Sequence, residues 1–234
     1  TFSSGSQYAL SASQDGDVRL WSVELARCLV SYCSHSAPVW KVGFSPHNSQ
    51  FLSCCYDGTL RIFATERPLP LRVLAGHLAD VTDGCFHPNG TCALTSSRDG
   101  TMRLWDIDSG GCVRVFTTHS APIYAVSVSP DGQLAASGGE DRTVKLWHIA
   151  TGQLLHSLPP QPDGVGSVVF NPSGKLIASV ACRRVEMWEL KDVASSIPEA
   201  LVTIESPAPV LSTGFILGSL ELAVMVAGVE VSPR

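Results

Sequence analysis

Residues 76–106 read GHLADVTDGCFHPNGTCALTSSRDGTMRLWD, a stretch that opens on Gly76-His77 and closes on Trp105-Asp106. Its interior holds short apolar and β-branched runs broken by turn formers, among them Pro88 and the pair Asp99-Gly100. Runs of that kind read as β-strands, because the Gly, Pro, Asn and Asp residues that bound them supply the backbone angles and hydrogen bonds of tight turns. The preceding stretch repeats the arrangement. There, residues 39–44, 51–54, 60–63 and 71–74 are strand-like, separated by Ser45-Pro46-His47-Asn48, Asp57-Gly58-Thr59 and a Pro-bearing loop. Four strands per unit follow. Asp15-Gly16, Asp57-Gly58 and Asp99-Gly100 are read as two-residue hairpin turns in which glycine supplies the positive φ. Helical periodicity competes nowhere over a useful length.

The unit recurs at a fixed interval. Asp15, Asp57, Asp99 and Asp141 are each 42 residues apart, and Trp21, Phe63, Trp105 and Trp147 each follow their aspartate by six. His35, His77 and His119 keep the interval, as do Val39, Val81, Ile123 and Val165, and Pro46, Pro88, Pro130 and Pro172. So do Ser11, Ser53, Thr95, Ser137 and Ser179. So many classes of position holding one period exclude compositional accident. A unit of about 40–45 residues with a Gly-His start and a Trp-Asp end is a propeller blade. The sequence therefore predicts one all-β propeller domain over residues 1–234, built of four-stranded antiparallel blades. Its units run over about 1–34, 35–75, 76–118, 119–160, 161–204 and 205–234, about five and a half blades in all. Residues 191–200 lack strand character and are read as a surface loop, whereas residues 210–216 and 220–226 form two strand-like runs in the last unit.

Serine, histidine and aspartate recurring together raise the question of nucleophilic catalysis. A triad needs one activated nucleophile and an oxyanion hole, and no GxSxG elbow is present. Repetition of the set in several units fits a structural clamp instead. In that clamp the turn aspartate accepts from the first histidine, which contacts a strand Ser or Thr that reaches the Trp indole. Complete sets are His77, Thr95, Asp99, Trp105 and His119, Ser137, Asp141, Trp147. The second unit keeps His35, Ser53 and Asp57, but Phe63 removes the last donor. The fifth has Gln161, Ser179, Arg183 and Trp188 with one residue deleted, so its relay is expected to be lost and its blade to depend on packing.

The blade geometry also singles out residues for a rim around the channel mouth: those flanking the first apolar residue of each inner strand, and the one before the turn aspartate. These are Trp40, Thr82 and Tyr124, with Pro38, Asp80 and Pro122 before them, and Gln14, Tyr56, Arg98 and Glu140 at the turn. Trp40, Tyr56, Asp80, Thr82, Arg98, Tyr124 and Glu140 are the partner-binding candidates, Trp, Tyr and Arg being the types that dominate interface energetics. The alternative is that they pack on one another across blades.

Composition narrows the function further. Apolar residues make up 44 % of the 234 and charged residues 16 %, enough for a sizeable core and too little charge for disorder. A net charge of -5 offers no electropositive surface to a phosphate backbone, which disfavours direct nucleic-acid binding. The 8 cysteines form no CxxC pair and are read as small core hydrophobes in a reducing compartment. No Walker loop, GxGxxG, HExxH or His and Cys spacing suited to a metal occurs, so no catalytic residue, cofactor, metal or small-molecule substrate is expected. Asn89-Gly90-Thr91 matches the glycosylation pattern but sits in a recurring turn and is read as chance. The apolar stretch 215–231 carries Glu221, Glu230 and glycines, so no membrane span is expected. The chain starts on Thr1 in mid-pattern and is expected to be N-terminally truncated.

The whole chain resembles a WD40 propeller. Leu69-Pro70-Leu71-Arg72-Val73-Leu74-Ala75-Gly76-His77-Leu78-Ala79-Asp80-Val81 is similar to a characteristic stretch of the WD-repeat TBP-associated factor family of TFIID and SAGA-type coactivator complexes. Asp106, the Cys112 to Phe116 strand and the run 220–228 resemble it too. The resemblance implies a seven-bladed propeller in the intact family and a non-catalytic scaffold in the nucleus. It also implies histone-fold TBP-associated subunits as partners. A ubiquitin-ligase substrate receptor or a signalling adaptor, nuclear or cytoplasmic, is the alternative, and a propeller-type hydrolase a more distant one.

Overall fold

The computed structural model describes residues 1–33, 35–190, 198–215 and 222–226, and every element among them is a β-strand. The first sheet holds β1 (Tyr8–Ala12), β2 (Val18–Ser22) and β3 (Arg27–Tyr32). The second holds β4 (Val39–Phe44), β5 (Gln50–Cys55), β6 (Thr59–Ala64) and β7 (Pro70–Ala75). The third holds β8 (Val81–Phe86), β9 (Cys92–Ser97), β10 (Met102–Asp106) and β11 (Cys112–Phe116). The fourth comprises β12 (Ile123–Val128), β13 (Leu134–Gly139), β14 (Val144–His148) and β15 (Leu154–Ser157). The fifth comprises β16 (Val165–Phe170), β17 (Leu176–Ala181), β18 (Arg184–Glu189) and β19 (Glu199–Glu205). A pair, β20 (Val210–Phe215) and β21 (Leu222–Val226), ends the described chain.

Each sheet is a meander of consecutive antiparallel strands, which is the construction of propeller blades. The chain forms two compact units, Thr1–Ile123 and Tyr124–Arg234. In the first, the second strand of a blade is buried on both faces, which is why it reads as a continuous apolar run rather than an alternation. Phe51 faces the blade before, packing with Leu10, Tyr32, Val39 and Phe63. Leu52 faces the blade after, packing with Ile62, Leu74, Val81 and Trp105. Phe63 stacks on Phe51 at 4.9 Å and meets Tyr32 edge-on, so the residue that replaces Trp is absorbed into an aromatic core. In the second unit, Val144, Leu146, Val165, Val168, Ile177 and Trp188 form the corresponding core.

Four details depart from the sequence reading. The Asp-Gly turns are three residues long, not two: β5 ends at Cys55 and β6 begins at Thr59, which leaves Tyr56, Asp57 and Gly58 in the loop with Gly58 at φ +80°. A left-handed residue closing a three-residue loop is the other common hairpin solution. Second, β19 begins at Glu199, inside the segment expected to be a loop, because the ladder to Glu189 and Trp188 recruits Glu199 and Ala200 despite their weak strand propensity. Residues 191–197 of that segment lie outside the described residues, as do 216, 220 and 221 of the two expected final runs. Third, the cysteines are not uniformly core residues: Cys54 and Cys55 are buried, whereas Cys28, Cys33, Cys112 and Cys182 are exposed. Cys28 and Cys112 lie on β3 and β11, the last strands of their blades, where no neighbour covers the outward face.

Fourth, bulges recur that no periodicity announces. The pairing slips between Val39 and Lys41, between Val81 and Asp83, and between Val165 and Ser167, leaving Trp40, Thr82 and Gly166 as extra residues. A bulge re-aims the side chain it carries, so the same slip places each of these residues at the strand start. Close packing between successive blades meanwhile rests on paired sizes. A Cβ added to Gly84 would lie 2.7 Å from Cys54 Sγ, and one added to Gly138 would lie 2.5 Å from Val165 Cγ1 and 2.8 Å from Val168 Cγ2. Cys54 and Gly84 are each 84 residues before Gly138 and Val168, so the small member changes sides while the sum is conserved. Gly138→Ala therefore overpacks this contact by one methyl group. It should cost about 1–3 kcal/mol and lower the midpoint of a thermal melt by several degrees; an unchanged midpoint would contradict the packing described.

Candidate functional site

The aspartate of each turn is held before it reaches anything else. Asp99 Oδ1 accepts from the Thr101 amide at 2.8 Å and from its hydroxyl at 2.6 Å, while Oδ2 accepts from the Leu78 amide at 2.9 Å. His77 Nδ1 donates to the same Oδ2 at 2.9 Å. On the other side of the ring, Nε2 lies 2.8 Å from Thr95 Oγ1, into which Trp105 Nε1 also donates at 2.8 Å. Because the indole can only donate, the Thr95 proton is free to go to His77 Nε2, and the chain of donation runs from Trp105 through Thr95 and His77 to Asp99. Burial acts against charge on Asp99, but hydrogen bonds from Thr101, Leu78 and His77 outweigh it and pull the carboxyl down to about 2. Burial, opposed by Asp99, lowers the His77 pKa, so the ring is neutral near pH 7.

The other blades vary this theme. Trp147 Nε1 donates to Ser137 Oγ at 2.9 Å, Asp141 accepts from the Thr143 amide and hydroxyl at 3.2 and 2.8 Å, and His119 is buried. In the first blade Trp21 Nε1 reaches Ser11 Oγ at 2.9 Å. In the second, His35 Nε2 lies 2.6 Å from Ser53 Oγ, but His35 Nδ1 stands 3.9 Å from Asp57 Oδ2, too far for a hydrogen bond. Asp57 is taken instead by Arg61 at 3.1 Å and by Thr59. Burial first, then the Arg61 charge, push the His35 pKa down to about 4. The Nδ1, Cys55 Sγ and Asp57 carboxylate atoms lie within 4.8 Å of one another.

The fifth blade corrects the expectation that its relay is lost. Gln161 Nε2 donates to Ser179 Oγ, and Trp188 Nε1 donates to the same oxygen at 3.0 Å. The missing residue comes out of the turn, which is only Cys182-Arg183 between Ala181 and Arg184, so the ladder from Ile177 to Trp188 keeps its register. The glutamine amide reaches the place that an imidazole nitrogen fills in other blades. The sequence reading also overlooked the threonines Thr59, Thr101 and Thr143 that hold the turn carboxylates, although they recur two residues after each aspartate. The basic residues Arg19, Arg61 and Lys145, four after their aspartates, pair with them at 3.7, 3.1 and 3.5 Å.

Of the rim candidates in the first unit, Trp40 is 44 % exposed and Tyr56 55 %, yet their rings meet edge-on with centroids 6.3 Å apart inside one blade. Arg98 Nε lies 3.4 Å from Asp80 Oδ2. Thr82 is turned inward: its hydroxyl donates to the Ile123 carbonyl at 2.7 Å, joining β8 to the start of β12. In the second unit the Tyr124 hydroxyl donates to Glu140 at 3.1 Å.

Two outcomes follow for stability. Asp99→Ala removes a charged acceptor from a buried histidine and should cost about 1.5–3 kcal/mol, read as a drop of several degrees in the unfolding midpoint; an unchanged midpoint removes the relay from the stability argument. His35 binds a proton more readily in the unfolded chain than in the fold, so its contribution is complete above pH 6.5 and declines as pH falls toward about 4. His35→Gln, which copies Gln161, should make the loss of stability over that window shallower in melts recorded at successive pH values.

Among curated proteins no relative matches the chain. A family model does, at residues 1–22, 26–63, 69–106, 110–148 and 152–189, each segment ending at or just after the Trp or Phe of its blade. Its description is WD domain, G-beta repeat. With the repeat, the meander blades and the Trp to Ser or Thr contacts in view, the chain belongs to the WD40 family, whose domains are typically non-catalytic scaffolds that bind other proteins.

Proposed function

We propose that this chain is a structural scaffold of the WD-repeat TBP-associated factor kind, acting in the nucleus within a TFIID-like or SAGA-type assembly and docking histone-fold subunits. The observation that carries the reading is where the family-like stretch of residues 69–81 puts its apolar side chains. Leu69 is 74 % exposed, Val73 on β7 is half exposed, and Leu78 is 90 % exposed. The fold makes no use of large apolar groups there, whereas a protein partner does. The Trp40 and Tyr56 pair adds rigid aromatic area of the kind that anchors interfaces.

The other readings find less support. A receptor for phosphorylated peptides needs free basic groups on the rim, and Arg98 is paired with Asp80. A hydrolase needs free acidic groups, and Asp80 and Glu140 are engaged by Arg98 and Tyr124.

Affinity purification of the full-length product from nuclear extract, with identification of the co-purifying subunits, tests the reading. Histone-fold and TBP-associated proteins are expected in the eluate; cullin adaptors in their place would overturn it. Leu78→Asp and Trp40→Ala should each reduce recovery of the histone-fold subunits by about tenfold, the effect of one interface anchor of about 1.4 kcal/mol, with little change in melting. Undiminished recovery in both variants would move the docking surface elsewhere.

A further inference from the structure

The second blade departs from the others at one atom. In the third blade Trp105 donates into Thr95, Thr95 into His77 Nε2, and His77 Nδ1 into Asp99. In the second blade Phe63 has no N–H to give and Asp57 stands 3.9 Å away, so nothing holds a proton on His35 Nδ1, and Nε2 is able to donate to Ser53 Oγ, 2.6 Å away. In that tautomer, the reverse of the one at His77, Nδ1 is a bare lone pair. The geometry agrees with the reversal: Nδ1 has no hydrogen-bond partner, the His35 side chain is 0 % exposed, and the Asp57 carboxylate has drawn back to 3.9 Å, as two lone pairs require. Around that lone pair stand Cys55 Sγ and Asp57, their ligand atoms within 4.8 Å of it and of each other.

We propose that His35 Nδ1, Cys55 Sγ and Asp57 Oδ2 form a binding site for a borderline divalent transition metal, zinc(II) being the best fit. A neutral imidazole with a thiolate and a carboxylate is a zinc donor set, whereas magnesium and calcium take oxygen alone. Ligands on a tetrahedral zinc lie about 3.5 Å apart, given Zn–N and Zn–S bonds of about 2.0 and 2.3 Å. The present separations therefore need a small contraction, which the Asp57 side chain, at the surface end of the group, can supply. The bond of His35 Nε2 to Ser53 holds the ring in the ligating tautomer, as an outer partner does in established metal sites. Cys55 releases its proton to solvent as the metal–sulfur bond forms, and its thiol gives up the 3.4 Å contact to the Ala37 carbonyl. A solvent molecule completes the coordination from the Asp57 side. Arg61, now 3.1 Å from Asp57 Oδ2, opposes the cation and limits the affinity, so Arg61→Gln should tighten binding.

The test is a cobalt(II) titration of the whole chain, purified under reducing conditions and freed of metal with a chelator. The expected result is a thiolate-to-cobalt charge-transfer band saturating at a single equivalent and abolished by competing zinc. The exposed thiols Cys28, Cys33, Cys112 and Cys182 are replaced by serine in a background variant, where the band should persist. In that background Cys55→Ser should abolish the band and Asp57→Asn should weaken zinc competition by about tenfold or more, with circular dichroism confirming that each variant remains folded. A folded background protein that shows no band, or a band that survives Cys55→Ser, overturns the proposal. Should either substitution prevent folding, zinc added to the background protein decides alone: a raised melting midpoint supports the site and an unmoved one sinks it.

Discussion

A buried hydroxyl governs this structure. The second strand of each four-stranded blade is covered on both faces, yet at one position it carries Ser53, Thr95, Ser137 or Ser179, each with no exposure to solvent. A hydroxyl sealed between sheets without a partner costs on the order of 1–3 kcal/mol. Neighbouring elements are arranged to meet it: the aromatic on the third strand from within the sheet, and the residue that opens the blade from the loop. The turn aspartate then has to be where it is because the ring nitrogen on the far side of His77 needs its own acceptor.

The blades show that this demand fixes a function for each position more strictly than a residue type. Gln161 and Trp188 satisfy Ser179 without histidine or aspartate, since an amide donor suffices once the hydroxyl is met. The second blade meets the same demand with fewer partners. There the aromatic is Phe63, which contributes stacking with Phe51 and no proton, and the turn carboxylate stands 3.9 Å from His35 Nδ1. The consequence is a buried nitrogen without a partner beside a thiol and a carboxylate, whereas in the third blade the same nitrogen of His77 is bonded to Asp99.

Binding surface arises from a second constraint, the local slip in pairing at the start of the inner strands. The bulges at Trp40 and Thr82 insert a residue that the ladder cannot use, and what that residue does then depends on its chemistry. Trp40 lies out against Tyr56, while Thr82 is short and polar enough to turn back and bond the Ile123 carbonyl. One backbone device therefore yields an aromatic anchor in one blade and a stitch between strands in the next.

The sequence by itself determined the repeat, the strand class and the identity of the hydroxyl, indole and turn carboxylate. Each of these depends on residue type at a fixed spacing, and spacing is preserved in the string. Position alone was also enough to foresee that Phe63 interrupts the relay. Only the tertiary structure decided the three-residue turns, the bulges, the exposure of half the cysteines and the rescue of the fifth blade by Gln161. It alone brought Cys55 beside His35 and Asp57. Those features depend on distances across the sheet between residues about twenty apart in the chain, and on which of several possible partners a polar atom reaches first. A hydrogen bond forms or fails over less than an ångström, the difference between the 2.9 Å of His77 to Asp99 and the 3.9 Å of His35 to Asp57, and no pattern of letters carries that length.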